Sequence, residues 1–103
     1  MELLPLSIEE QKLEAIAQEY SIRSIALFGS VLRSDFGPKS DIDILIELSP
    51  DRHYSYFDLL DIKSRFEEVF NRKVDLIEKE SLRNPYRRKT ILSTARTIYA
   101  DRY

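Results

Sequence analysis

Cysteine and tryptophan are absent from this chain of 103 residues, and glycine, histidine and methionine are rare, with two, one and one copies. Without cysteine, the chain has no disulfide scaffold, no thiol nucleophile and no thiolate zinc site. Two glycines leave little material for a flexible linker, and no internal repeat or low-complexity segment is visible. A chain of this length and composition predicts one globular domain over residues 1–103.

Long apolar runs are also missing, since none approaches the roughly 20 residues that a membrane-spanning helix needs. The first residues lack the basic and apolar regions of a secretion signal. We therefore expect a cytoplasmic protein without membrane contact. The net charge of -2 argues against a general nucleic-acid coat, so direct nucleic-acid binding is not expected either.

Charge is distributed unevenly along the chain. Residues 1–20 carry five glutamates against Lys12 alone, and residues 83–103 carry six lysines and arginines against Asp101 alone. Two interpretations of the basic segment stay open. It forms a solvated helix face, or it forms an edge that faces phosphate or a partner.

Hydrophobic spacing predicts six elements in the order α-β-β-α-β-α. Helices are expected at about 7–20 and 55–70, and strands at 22–28, 41–48 and 73–78. The last helix begins at Asn84, with Pro85 in its first turn. It is expected to bury Ile91, Leu92, Ala95, Ile98 and Tyr99. This pattern predicts an α/β (α+β) fold in which a small mixed sheet carries helices mainly on one side.

Aromatic residues near the predicted helices have two possible uses. Tyr20, Tyr54, Tyr56 and Phe57 could pack helices against the sheet, or one of them could stack on a base. The spacing favours helix packing for all four.

Three polar features lie in the predicted strands or directly beside them. Gly29-Ser30 follows the first strand, where glycine lets a ligand approach the backbone and amides at a helix start bind anions. Asp41 and Asp43 open the next strand, and the period of two places both carboxylates on one face. Asp75 lies in the third strand and could reach the same face.

Each feature taken alone has a structural explanation. Gly-Ser is common in turns, Asp-x-Asp often caps a strand, and a lone Asp75 on an edge strand blocks pairing with other chains. Together, three carboxylates beside an anion cradle are the donors that Mg²⁺ needs when it handles a nucleoside triphosphate. The combination favours phosphoryl-type transfer.

These residues resemble the signature of a known superfamily. Gly29-Ser30, ten intervening residues and Asp41-Ile42-Asp43 are similar to the motif of the polymerase-beta-type nucleotidyltransferases, and Asp75 is similar to their third carboxylate. The stretch 26–30 and the closing segment 89–99 resemble the minimal nucleotidyltransferases, which act as antitoxins of HEPN/MNT toxin–antitoxin systems. The resemblance covers about residues 22–99.

The resemblance implies a Mg²⁺-dependent protein adenylyltransferase. Such an antitoxin transfers AMP from ATP to a tyrosine hydroxyl of a partner HEPN-domain ribonuclease toxin and so neutralises it. By the same resemblance, Asp41 and Asp43 hold two Mg²⁺ ions, while Asp75 helps to hold one and accepts the proton of the attacking hydroxyl.

The resemblance also implies a nucleotide-binding set. Gly29 and Ser30 hold the outer phosphates, and Ser40 is a candidate for a further phosphate contact. Arg33 is either a phosphate clamp or a solvated charge. Ser34 departs from the Arg-Gly pair that is common in the family, so the loop after Arg33 is expected to follow another path.

Two other functions remain open at the level of sequence. One is a non-catalytic antitoxin that neutralises the toxin by covering it. The other is a nucleotidyltransferase that acts on a small molecule or an RNA end. A homodimer through an edge strand or the basic last helix is also possible.

Overall fold

Three helices and four strands occur in the residues that the computed structural model describes, 9–29 and 41–101. They are α1 (Glu10–Tyr20), β1 (Ile22–Phe28), β2 (Ile42–Leu48), α2 (Tyr56–Phe70), β3 (Val74–Glu78), α3 (Pro85–Thr94) and β4 (Arg96–Ala100). A 3₁₀ turn, Lys79–Ser81, follows β3. The predicted mixed sheet with helices is confirmed, and no helix of the described ranges is long and apolar enough to cross a membrane.

Within residues 9–29 and 41–101 the sheet has the strand order β3-β2-β1-β4, so β3 and β4 are its edges in this part of the chain. β1 pairs antiparallel with both β2 and β4, whereas β2 pairs parallel with β3. The parallel pair requires a crossover, which α2 supplies. This crossover brings the start of β3 beside the start of β2.

Alternation along β2 divides the apolar residues between the two faces of the sheet. Ile42, Ile44 and Ile46 are fully buried on the face that α1 and α2 cover. Leu45 points to the opposite face, where Ile91 of α3 covers a smaller apolar cluster. Two helices therefore lie on one face and α3 lies on the other, in agreement with helices packed mainly on one side.

Side-chain caps begin both α2 and α3, and the predicted cap at Asn84 is confirmed. The Ser55 hydroxyl accepts from the Asp58 amide at 3.1 Å, and the Asp58 carboxylate accepts from the Ser55 amide at 2.9 Å, which closes a capping box at the start of α2. The Asn84 side chain accepts from the amides of Tyr86 and Arg87 at 3.0 and 3.1 Å, with Pro85 at the first position of α3.

The prediction that the last helix continues to Tyr99 is wrong. α3 ends at Thr94, and Arg96–Ala100 forms β4 against β1, with Tyr99 opposite Ile25 and Thr97 opposite Ala26. Within α3 the hydroxyl of Thr94 binds the carbonyl of Thr90 at 2.7 Å, a local bond that weakens helix continuation. The segment that follows is β-branched and aromatic, which favours a strand. Of the five residues predicted to be buried by this helix, Ile91 is buried within it and Leu92 is exposed, while Ala95, Ile98 and Tyr99 lie beyond its end.

One half-buried contact joins the helical layer to the loop after β2. The Tyr54 hydroxyl donates to the carbonyl of Tyr20 at 2.6 Å, and the Arg52 guanidinium lies over both rings. Beside them Arg65 binds Glu19 at 2.7 Å, and this hydrogen bond lowers the pKa of the Glu19 carboxyl. Tyr20 and Tyr54 are therefore helix-packing aromatics, as predicted.

Replacing Ser21 by glycine is expected to stabilise the protein. Ser21 ends α1 in the left-handed region at φ 56°, where a Cβ is unfavourable, and its side chain is exposed. Glycine should raise the free energy of unfolding by about 0.5–1 kcal/mol, measured by urea denaturation. Ser64→Gly is the matched control, because Ser64 is exposed within α2, and it should lose about 0.5 kcal/mol. A loss of stability in Ser21→Gly would contradict the expectation.

Candidate active site

The first component of the site is the end of β1. The strand stops at Phe28, which lies opposite Asp43 of β2, and Gly29 follows with a positive φ of 70°. A Cβ added to Gly29 would overlap the Oδ2 atom of Asp43 and stand 3.0 Å from its Cγ. Glycine is therefore required at this position for two reasons: it adopts the positive φ, and it leaves space for the Asp43 carboxylate.

The second component is the register of the parallel strand pair. Asp43 of β2 lies directly opposite Asp75 of β3, and Ile42 lies opposite Val74. Neighbouring strands are about 4.8 Å apart, and residues that face each other in a ladder point to the same side. The two carboxylates are thus side by side on the face of the sheet opposite α1 and α2. Asp43 is half-buried and Asp75 is exposed.

Asp41 is placed less tightly than the other two carboxylates. It is exposed and precedes the first residue of β2, so that its two-residue spacing from Asp43 puts it on the same side of the chain. In residues 9–29 and 41–101, no group of three or more His, Cys, Asp or Glu side chains is close enough to hold a metal ion. The structure brings Asp43 and Asp75 together, and Asp41 flanks this pair at the strand start.

Three of the predicted phosphate contacts cannot be placed. Ser30, Arg33 and Ser40 lie outside the described residues, and so does the helical turn expected after Gly29. Of the predicted nucleotide-binding residues, the structure locates Gly29, directly beside the Asp43 carboxylate.

The donor set is of the kind that Mg²⁺ accepts. The groups that come together are carboxylates, which are the hard oxygen donors that Mg²⁺ prefers. A divalent cation would also offset the repulsion between two carboxylates held by adjacent strands. The chemistry of Asp43 and Asp75 is therefore suited to Mg²⁺, with Asp41 as the neighbouring donor.

Apolar residues lie beside the carboxylate pair on the same face of the sheet. Phe28 and Leu45 are 7% and 5% exposed and belong to the cluster on the α3 face, and Ile77 packs against that cluster. Phe28 and Leu45 flank Gly29 and Asp43, and Ile77 follows Asp75 by one strand period. The carboxylates thus lie on paired strands next to well-packed side chains, which favours a fixed spacing.

Sequence reasoning missed a groove beside Asp75. Its volume is about 410 Å³, and its walls include Tyr56 and Lys63 of α2 and Arg87 of α3.

The prediction that Tyr56 and Phe57 pack helices is wrong, because they are 71% and 76% exposed. Their position in the first turn of α2, directly after the Ser55 cap, was the available signal.

Comparisons with known proteins identify the family of this chain. The model of the nucleotidyltransferase domain family matches residues 9–98. A Methanocaldococcus jannaschii protein, provisionally named a protein adenylyltransferase, is 40% identical over 76 residues, which is 74% of this chain and 76% of that protein. The chain belongs to the nucleotidyltransferase domain family.

Two solved structures share the fold. One is a toxin–antitoxin complex with AMP-PNP, in which the matching chain has a TM-score of 0.70 at 16% identity, with 92% of this chain and 76% of that chain covered. The other is a complex of a tri-AMPylated Shewanella oneidensis HEPN toxin with its MNT antitoxin, at a TM-score of 0.61 and 17% identity, covering 89% and 70%. At 16% and 17% identity, the similarity to these two structures shows a shared fold.

Proposed function

We propose that this chain is an antitoxin that transfers AMP from ATP to a tyrosine hydroxyl of a HEPN-domain toxin and so neutralises the toxin. The observation that carries the proposal is the register that sets Asp43 opposite Asp75, with Gly29 against Asp43. The relative provisionally named a protein adenylyltransferase supports the reaction. The Shewanella oneidensis complex, which pairs an AMPylated HEPN toxin with an MNT antitoxin, supports the partner.

In this proposal the side chains have distinct tasks. Asp41 and Asp43 hold the Mg²⁺ ions, and Asp75 shares one of them. When bound, Mg²⁺ supplies charge neutralisation of the triphosphate and of the departing pyrophosphate. Gly29 and Ser30 face the outer phosphates, with Arg33 and Ser40 as further contacts.

The transfer step balances without any further reactant. The tyrosine oxygen of the acceptor forms a bond to the α-phosphorus of ATP, and the bond from that phosphorus to the β-phosphate oxygen breaks. Pyrophosphate leaves, and the hydroxyl proton passes to the carboxylate of Asp75, which is exposed and therefore open to an acceptor.

Incubation of this chain with ATP, Mg²⁺ and the HEPN-domain protein from the same genome tests the proposal. We expect the intact mass of the HEPN protein to rise by one or more AMP units, and the modified residue to map to a tyrosine. Chelation of Mg²⁺ should abolish the shift. An unchanged mass under conditions in which the two proteins bind each other would overturn the proposal.

Neutralisation by covering the toxin is the second candidate. The observation in its favour is that Tyr56 and Phe57 are 71% and 76% exposed, which is an unusual exposure of aromatic surface. The variant with Asn at 41, 43 and 75 separates the two functions. Full rescue from the toxin by this variant would favour covering, and loss of rescue with intact binding would favour catalysis.

A further inference from the structure

The groove beside Asp75 follows the outer edge of the sheet. β3 is the edge strand, and Asp75 and Leu76 lie on the floor of the groove. One wall is the first half of α2, with Tyr56 and Leu60, and the other wall is the segment from the 3₁₀ turn to α3, with Leu82. The groove therefore connects a proposed catalytic carboxylate with an open strand edge.

The walls of this groove are fixed by the chain's own hydrogen bonds. The Arg88 guanidinium donates to the carbonyls of Lys79 and Leu82 at 3.1 and 3.3 Å, which holds the 3₁₀ turn against α3. On the other side, the Ser55 and Asp58 capping box fixes the start of α2. The groove is thus formed before any partner arrives, so binding does not require these segments to be ordered.

The backbone groups along β3 differ in the direction that they face and in their hydrogen-bond partners. The Ile42 amide donates to the carbonyl of Lys73 at 2.9 Å, so residues 73, 75 and 77 direct their backbone groups at β2, and 74, 76 and 78 direct theirs outward. The Val74 amide donates to Glu67 at 3.0 Å, and the Glu78 carbonyl accepts from Ser81 at 2.8 Å. In the described residues, Leu76 keeps an outward amide and carbonyl between these two capped positions.

The dimensions of the edge suit a short peptide. β3 has five residues, which corresponds to about 16 Å of strand. An extended segment of about five residues would cover this length and exchange one pair of backbone hydrogen bonds with Leu76. A longer strand would meet the side chains of Glu67 and Ser81 at the two ends.

We propose that this groove receives an extended segment of the acceptor protein, pairs it with Leu76, and delivers its hydroxyl to Asp75. The inference rests on the proposed function, since Asp75 is the group that takes the hydroxyl proton. Its support is that one side chain, Asp75, lines the groove and also lies opposite Asp43.

The two walls define the segment that fits. Side chains of an extended segment alternate, so if the acceptor residue points to the face of Asp75, its neighbours point to the face of α2. That face presents Tyr56 and Leu60, which are 71% and 41% exposed. The groove therefore selects a hydroxyl-bearing residue that is flanked by at least one apolar residue.

Paired surface variants test the location of the groove. Leu60→Glu and Tyr56→Ser alter its wall, while Leu92→Glu and Tyr86→Ser change residues of similar type and exposure on α3, 37% and 84% exposed, outside the groove. We expect the groove variants to weaken binding to the HEPN-domain protein of the same genome about tenfold or more, with unchanged binding of Mg²⁺-ATP. The control variants should match the wild-type chain in both measurements.

Hydrogen exchange tests the strand pairing itself. The Leu76 amide is expected to exchange rapidly in the chain alone and to become protected at least tenfold in the complex. The Val74 amide, already bonded to Glu67, should show little additional protection. No gain of protection at Leu76 in a complex that still forms would overturn the pairing.

The remaining outcomes separate the groove from the proposed function. If the wild-type chain transfers no AMP but the groove variants alone lose partner binding, the proposed AMP transfer is refuted and the groove is supported as the partner-binding site. If the groove variants bind and modify the partner like the wild-type chain, the proposal that the groove receives the acceptor segment is overturned, and the proposed AMP transfer is kept. Self-association that Leu60→Glu abolishes would make a second copy the occupant, which also overturns the proposal.

Discussion

Replacing Asp43 by asparagine is expected to lower the rate of AMP transfer about a thousandfold, which corresponds to about 4 kcal/mol of transition-state stabilisation. Asp43 lies at the centre of the site, because Gly29 lies against its carboxylate and Asp75 lies opposite it on the next strand. Asparagine keeps the size of the side chain but removes its charge and half of its ligand capacity. The rate is measured by mass spectrometry of the HEPN-domain partner over time.

The folding of this variant should be unaffected or slightly improved. Asp43 and Asp75 repel each other when both are charged, so removal of one charge relieves the pair. Asp61→Asn is the matched control, because Asp61 is exposed on α2 and lies outside the site, and it should retain full activity. A variant at Asp43 that retains more than a tenth of the wild-type rate would contradict the assignment of this carboxylate.

Replacing Gly29 by alanine is expected to damage stability and activity together. At a φ of 70° a Cβ strains the backbone, and at this position it would also overlap the Asp43 carboxylate. We expect the free energy of unfolding to fall by about 1–3 kcal/mol. The transfer rate should fall about a hundredfold, because displacement of a positioned catalytic group by about 1 Å has an effect of this size.

A double-mutant cycle separates the two effects of this alanine. If the methyl group lowers activity by displacing the Asp43 carboxylate, Gly29→Ala should add little to the activity loss of Asp43→Asn. The backbone strain does not depend on the charge at 43, so the urea midpoint should still fall in the double variant. Fully additive losses of activity would show that Gly29 acts through another group.

The strands of the site could be predicted because their signal is local. β1 was predicted with the bounds that the structure has, and β2 differs by one residue. The alternation along β2 also indicates which of its side chains share a face. The opposition of Asp43 and Asp75 could not be derived from the same pattern. It depends on the register of two strands separated by α2, which the sequence pattern does not encode.

The errors also follow from contacts that are distant in sequence. Ile91, Ala95 and Ile98 have helical spacing, yet β1 offers the segment after Thr94 a free edge, and pairing with that edge overrides the spacing. The exposure of Tyr56 and Phe57 has the same origin. Whether an aromatic residue at the start of a helix finds a packing partner depends on where the sheet ends.

The caps on the β3 edge have a consequence for the state of the protein at high concentration. Glu67 accepts from the outward amide of Val74 and Ser81 donates to the outward carbonyl of Glu78, and five residues give a neighbouring copy little length on which to pair. Continuous sheet growth from molecule to molecule is thereby disfavoured. An edge that is short and partly capped can accept a short peptide segment and still resist aggregation, so the protein can keep an accessible strand without the usual hazard of fibre formation.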